Sequence, residues 1–422
     1  MRKIFAVLVL SLLPLYGQAP NQAAERTFRV AKGMYQDRLY DLAAGQFQNF
    51  LLNYESSPFA GEAQFLLAEC YFNLHEYTQA VAAYRTMLAR YPSLQLQDQA
   101  EFRINEALVN AGRFSDAKKG LQQFMTQYPN SAFIPNARYW YGEALFREGD
   151  KDGALHYFQQ VLQDHPQGPL SDYATYSSAF IYEDRKDWDQ AIATYSTLVQ
   201  NFPTSPLAEQ SSFRLGMCYM AKKEYDAAIQ KLSEAISRYP KSSWSGEAQY
   251  FIGEAFYKKK DLDKAATAFE VISTMPNNAY SDDAAYTLSW IYLERNQKER
   301  AIASFQKVVD TGRDSTLMAS SLFQIGRLLA KDGKKAEALE TFQNVTSRFP
   351  RQDDAANAWY EIAAVRFANK EYEAARTIYT TILDRYPKSK VSGDAAVMIG
   401  ECHLAEGNPE SANQSFRQAA NQ

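Results

Sequence analysis

Apolar and small side chains recur along this chain with two nested spacings. The short spacing is three to four residues, one face of a helix, as in Ala248, Ile252 and Phe256. A polar turn such as Lys259-Lys260-Asp261 follows, and then a second stripe of the same kind. The long spacing repeats this helix–turn–helix unit. Ala43, Ala80, Ala117, Ala154, Ala191, Ala228 and Ala265 stand 37 residues apart, Ala301 follows after 36, and Ala338, Ala375 and Ala412 resume the step of 37. Four residues after each comes a large apolar side chain: Phe47, Tyr84, Leu121, Phe158, Tyr195, Leu232, Phe269, Phe305, Phe342, Tyr379 and Phe416. A fixed period of this size marks a stacked repeat protein. It predicts about eleven antiparallel helix pairs, A and B, each touching only its neighbours.

With the mid-alanine numbered 20, position 8 is small in every repeat except the third, where Asn105 stands; Ala68, Gly142, Gly253 and Ser289 are typical. Positions 8 and 20 are therefore expected where helices A and B of one repeat touch. Helix B is expected to stop at aromatic–proline pairs such as Tyr91-Pro92 and Tyr239-Pro240, because the residue before proline is pushed out of helical geometry. Ser131, Ser205, Ser242 and Ser389, two residues on, are placed to cap the next helix A. Ser57-Pro58 and Ser205-Pro206 would put proline in its first turn. Repeat 8 departs from the rule, since Thr311-Gly312-Arg313 replaces the aromatic–proline stop. A local change of pitch is expected near residues 276–315.

The small residue at 8, alanine at 20, aromatic at 24 and proline at 32 resemble the tetratricopeptide repeat. The resemblance runs from about residue 24 to the end and implies an all-α solenoid, a right-handed superhelix. The usual repeat has 34 residues. Here three more, such as Pro206-Leu207-Ala208, precede helix A and are expected to lengthen it by nearly a turn. This longer form, with its YPxS junction, is similar to repeats of bacterial envelope proteins, among them the outer-membrane assembly lipoprotein BamD and the periplasmic partner of the Tol-Pal system.

Residues 1–19 read as a cleaved secretory signal: Arg2 and Lys3, the apolar run Ile4–Leu13, then Pro14 and small residues. The solenoid is then a single domain over 20–422. No cysteine stands near the cleavage site, so no lipid anchor is expected, and no later run approaches membrane-spanning length. A soluble, periplasmic or otherwise extracytoplasmic protein is the expectation.

Charge and chemistry narrow the function. The formal net charge of −4 gives no electrostatic reason to bind nucleic acid. Cys70, Cys218 and Cys402 share position 10 in distant repeats, too far apart to pair, so three free thiols are predicted. His75, His156, His165 and His403 form no metal-ligand spacing, and no phosphate-binding glycine loop or nucleophile elbow is present. Asp282-Asp283 and Asp353-Asp354 are expected at helix starts, where acids favour the dipole. No enzymatic activity and no cofactor are predicted.

By the resemblance, helix A lines a concave groove. Position 5 carries Phe65, Phe102, Tyr139, Tyr176, Phe213, Tyr250, Tyr286, Phe323 and Tyr360, and position 9 carries Glu69, Glu106, Glu143 and Glu254. Two readings follow. The residues form an aromatic and acidic track for an extended peptide or glycan, or the aromatics pack between repeats as core. Arg29, Arg103 and Arg214 at position 6 do not build the carboxylate clamp of chaperone-binding relatives. The favoured function is a protein–protein interaction scaffold of the cell envelope, serving outer-membrane assembly, Tol-Pal or peptidoglycan-related complexes through envelope proteins or peptides held in the groove. The alternatives are a peptidoglycan-binding superhelix accessory to cell-wall enzymes, and a structural module that self-associates through its C-terminal repeat. There Ala412, Phe416 and Ala419 share one face.

Overall fold

A computed structural model describes residues 20–275 and 278–420. The segment read as a secretory signal lies outside the described residues. Among those residues there are 22 helices and no strand, paired in order as A and B helices of eleven repeats. This is the all-α tetratricopeptide arrangement expected from the period. The helices fall into two compact units, Met1–Leu207 with repeats 1–5 and Ala208–Gln422 with repeats 6–11. Within each unit every helix packs on the next, and successive A helices also touch.

The packing of one repeat follows from side-chain size. The mid-alanines are all but inaccessible, and the position-24 side chain is fully buried from Phe47 to Tyr379. The small residue at position 8 faces the ring at 24. A Cβ added to Gly253 would lie 2.9 Å from Phe269, and one added to Gly326 only 2.6 Å from Phe342. Asn105, the one exception, is buried because the small residue has moved to the other helix. A Cβ on Gly120 would fall 1.9 Å from the Asn105 Oδ1. Leu121 at position 24 is also the smaller kind of partner.

Helix A ends the same way in every repeat. Position 15 has positive φ in all eleven: Gly112, Gly149, Gly333 and Gly407, and elsewhere Arg38, His75, Lys186, Lys223, Lys260, Asn296 and Lys370. In repeat 2 the Glu76 N–H donates to the Tyr71 carbonyl at 2.9 Å and the His75 N–H to the Phe72 carbonyl at 3.1 Å. This left-handed cap satisfies carbonyls that a helix end would otherwise leave open.

The junction from B to the next A departs from the expectation. Most A helices have 14 residues, not an extra turn: repeat 6 starts at Ala208 and repeat 4 at Ile134. The extra residues form a tight turn ahead of the helix, and Pro58 and Pro206 sit in it. The serine is the reason. Ser131 Oγ accepts from the Phe133 N–H at 3.2 Å and donates to Asp98 at 2.7 Å, on the preceding repeat's helix A. Ser205 does the same with Leu207 and Asp172. The serine thus caps the turn and ties two repeats together, and the helix begins later. Where the aspartate comes first the helix does lengthen. Asp314 accepts from the N–H groups of Thr316 and Leu317, and helix A of repeat 9 runs over 17 residues, Ser315–Lys331. Repeat 10 also starts early, at Asp353, and has 16 residues, here with no side-chain cap. Asp282-Asp283 and Asp353-Asp354 lie in first helical turns. At the irregular eighth repeat, Asp282 accepts from the Arg313 N–H at 2.7 Å, in place of the missing serine.

Candidate partner-binding surface

The position-5 aromatics pack inward on the ring at position 24 of their own repeat. Centroids lie 5.6 Å apart for Phe65–Tyr84, 5.5 Å for Tyr139–Phe158, 5.5 Å for Tyr250–Phe269 and 5.7 Å for Tyr286–Phe305. Tyr176–Tyr195, Phe323–Phe342 and Tyr360–Tyr379 repeat the contact. Phe102 stacks instead on Phe133, and Phe213 on Trp244, both just ahead of the next helix A. Phe65, Phe102, Tyr139, Phe213 and Phe323 are buried. Tyr176, Tyr250, Tyr286 and Tyr360 are half-buried and keep part of each ring at the surface. Burial pushes the Tyr250 hydroxyl up to about 12, with Glu254 adding to the effect and a hydrogen bond from Thr287 opposing it. Tyr250 is therefore neutral and its hydroxyl remains a donor.

The position-9 acids divide by partner. Glu69 is buried and accepts from the Tyr84 hydroxyl. Arg103 grips it side-on with one edge of the guanidinium, Nε to Oε1 at 2.8 Å and Nη2 to Oε2 at 2.6 Å. The remaining Nη1 reaches Glu106 at 2.8 Å, and the guanidinium lies 4.0 Å above the Phe72 ring. Burial works against the charged guanidinium, but its bonds to Glu69 outweigh that and raise its pKa. Burial also raises the Glu106 carboxyl, with Arg103 pulling it back. Glu143 takes Arg147 Nε at 2.7 Å. Glu254 is half-buried and has no hydrogen-bond or ion-pair partner among the described residues.

Position 6 carries no row of cations, and Arg103 does not need one. The structure instead shows one cation shared by two acids of the predicted ladder. The spacing held a usable signal: position 6 of one repeat lies beside position 9 of the repeat before it. Beside the Asn105–Gly120 exchange lies a cleft of about 330 Å³, whose lining includes Arg85, Glu101, Asn105, Lys119, Gly120 and Gln123.

Cys70, Cys218 and Cys402 are buried and form no disulfide with one another, and burial pushes the Cys70 thiol up to about 12. Thiols so placed are poor nucleophiles. Among the described residues no group of three or more His, Cys, Asp or Glu is arranged to hold a metal, and no helix is long and apolar enough to cross a membrane. Phe416 is half-buried, where every other position-24 side chain is fully buried.

Several known proteins resemble this chain. A family described as outer membrane lipoprotein (YfiO) matches residues 94–218 and 207–331, and a tetratricopeptide repeat family matches 34–94 and 323–390. No curated protein matches the chain. Among solved structures, the C-terminal part of a TPR repeat-containing protein from Cytophaga hutchinsonii is 14% identical, with 66% of this chain and 98% of that one covered and a TM-score of 0.48. A tetratricopeptide repeat protein from Parabacteroides merdae is 13% identical, with 64% and 98% covered and a TM-score of 0.39. PilF of Pseudomonas aeruginosa is 16% identical, with 55% and 99% covered and a TM-score of 0.42. The helix pairs and the family match over more than half the residues lead to one assignment: this chain is a tetratricopeptide repeat protein and belongs to the YfiO outer membrane lipoprotein family.

Proposed function

We propose that this protein is an exported, non-enzymatic scaffold of the bacterial cell envelope that holds proteins or peptides on the exposed face of its A helices. The observation that carries the reading is the match of residues 94–331 to an outer membrane lipoprotein family, joined to an N-terminal segment with the order of a secretory signal. The repeats supply surface rather than chemistry: rings that keep an edge exposed, and carboxylates at fixed intervals. Outer-membrane assembly, Tol-Pal-linked maintenance and peptidoglycan synthesis are the settings in which such a scaffold would work, with the eleven repeats acting as one solenoid.

Affinity capture tests this. The chain from Asn21 onward serves as bait against detergent-solubilised envelope, beside a bait carrying Tyr176→Ser and Tyr286→Ser whose folding is checked by circular dichroism. The expected result is a discrete set of envelope proteins held by the first bait and reduced on the second. Recovery of the natural protein only from cytoplasm, or capture of no protein with pelleting on peptidoglycan, would replace the scaffold with another function.

A further inference from the structure

The Glu69–Phe72–Arg103 arrangement is a filled example of a site that the repeat builds more than once. It needs a glutamate at position 9, a ring at position 12 of the same helix, and a cation from position 6 of the next repeat. Glutamate and ring recur together as Glu143 with Phe146, and as Glu254 with Tyr257. In neither case does the next repeat supply a cation; position 6 is Ser177 in one and Thr287 in the other. Repeat 4 has closed its copy by other means. Arg147 bonds Glu143, and Phe180 covers Phe146 with centroids 6.0 Å apart.

Repeat 7 has not. Glu254 is without an ion pair among the described residues, and Lys258, at the place of Arg147, is exposed and does not reach it. Tyr257 is held by its hydroxyl, which donates to Glu294 at 2.8 Å. That bond fixes the ring and brings a second carboxylate beside it. Lys260, an exposed residue, lies 5.4 Å from the ring centroid, so the ring already draws one cation. Trp290 stands at the register position that Glu106 has in repeat 3.

We propose that Glu254, Tyr257, Thr287 and Glu294 form a recess for a guanidinium or alkylammonium group, supplied by an arginine or lysine side chain of a bound polypeptide. Arg103 shows the pose: a bidentate bond to the glutamate with the flat cation over the ring. Both contacts strengthen where water is partly excluded. The inference rests on the scaffold reading and names the chemistry of its partner, a chain with an exposed basic residue.

The test uses a labelled glycine–serine decapeptide with two arginines, and its twin with citrulline, which has nearly the same shape and no charge. Binding to the chain from Asn21 onward is read by fluorescence anisotropy at low salt. The arginine peptide should bind at least about tenfold tighter than its twin. Glu254→Gln should lose that margin by removing the charge, and Thr287→Arg by filling the recess from within; circular dichroism confirms that both fold. Equal affinity for the two peptides, undiminished binding by both folded variants, or no binding at millimolar peptide would each overturn the proposal. If wild type and both variants capture the same envelope proteins, the recess is wrong and the scaffold stands. If wild type captures none, the scaffold itself fails.

Discussion

Repeats 2–3 and repeats 7–8 use the same positions to opposite ends. In the first pair Arg103 is locked between Glu69 and Glu106, over Phe72, and the acids are spent inside the molecule. In the second, Thr287 stands where Arg103 would be, and Glu254 has no ion-pair partner among the described residues. Arginine or threonine at one register position is thus a main difference between an internal staple and an open surface. Counting acids along the helices would treat the two pairs as equal. The cation opposite each acid decides which one a partner can use.

Breaking the filled junction should have the largest effect. Arg103→Met leaves two mostly buried carboxylates without a cation, at a cost of about 3–5 kcal/mol. Urea unfolding monitored by hydrogen exchange should locate the loss in repeats 2–4. Glu254→Gln, the matching change in the open junction, should alter stability by less than about 0.5 kcal/mol. Next in size is the helix exchange in repeat 3. Gly120→Ala forces a Cβ against the Asn105 amide and should cost about 1–3 kcal/mol; adding Asn105→Ala should recover most of it in the same unfolding experiment.

Smaller changes test the shared turn. Lys223 holds the left-handed position 15 of repeat 6 with a side chain that disfavours it. Lys223→Gly should stabilise by up to about 1 kcal/mol, the entropy of glycine offsetting part of the gain. The smallest effect is expected at Glu101. Burial raises its carboxyl above the usual range, with Arg85 opposing. The folded chain then holds this proton more tightly than the unfolded chain, so stability from this group falls as pH rises between the ordinary and the raised value. Glu101→Gln should match wild type below that window and exceed it above, which thermal melts across the window would show.

These effects also mark what could be read from the sequence. The period, the helix pairing and the aromatic–proline stops were legible because each rests on a residue type that only one local geometry tolerates. The serine was legible as a cap, but not as a turn cap bonded to Asp98 on another repeat, since that bond needs the stacked geometry. The aromatics at position 5 gave a correct spacing and an ambiguous face; burial of Phe65, Phe102 and Tyr139 follows from contacts with rings 19 to 31 residues away. Arg103 reads as an isolated cation in the sequence because its partners lie on two helices, one of them 34 residues back. The role of Gly120 is not legible, since a glycine in a helix gives no sign of which side chain it makes room for.

The most direct test of the account is a double-mutant cycle on the open junction, with no ligand present. Thr287→Arg places in repeat 8 the cation that Arg103 supplies in repeat 3. Melting temperatures of wild type, Glu254→Gln, Thr287→Arg and the double variant would be measured at low salt. If the two junctions share one mould, the arginine is stabilising only while Glu254 carries its charge, with a coupling of about 0.5–3 kcal/mol between the two sites. A coupling of zero would mean that the position-9 glutamate and the position-6 side chain do not meet in repeats 7 and 8, and the comparison would fail.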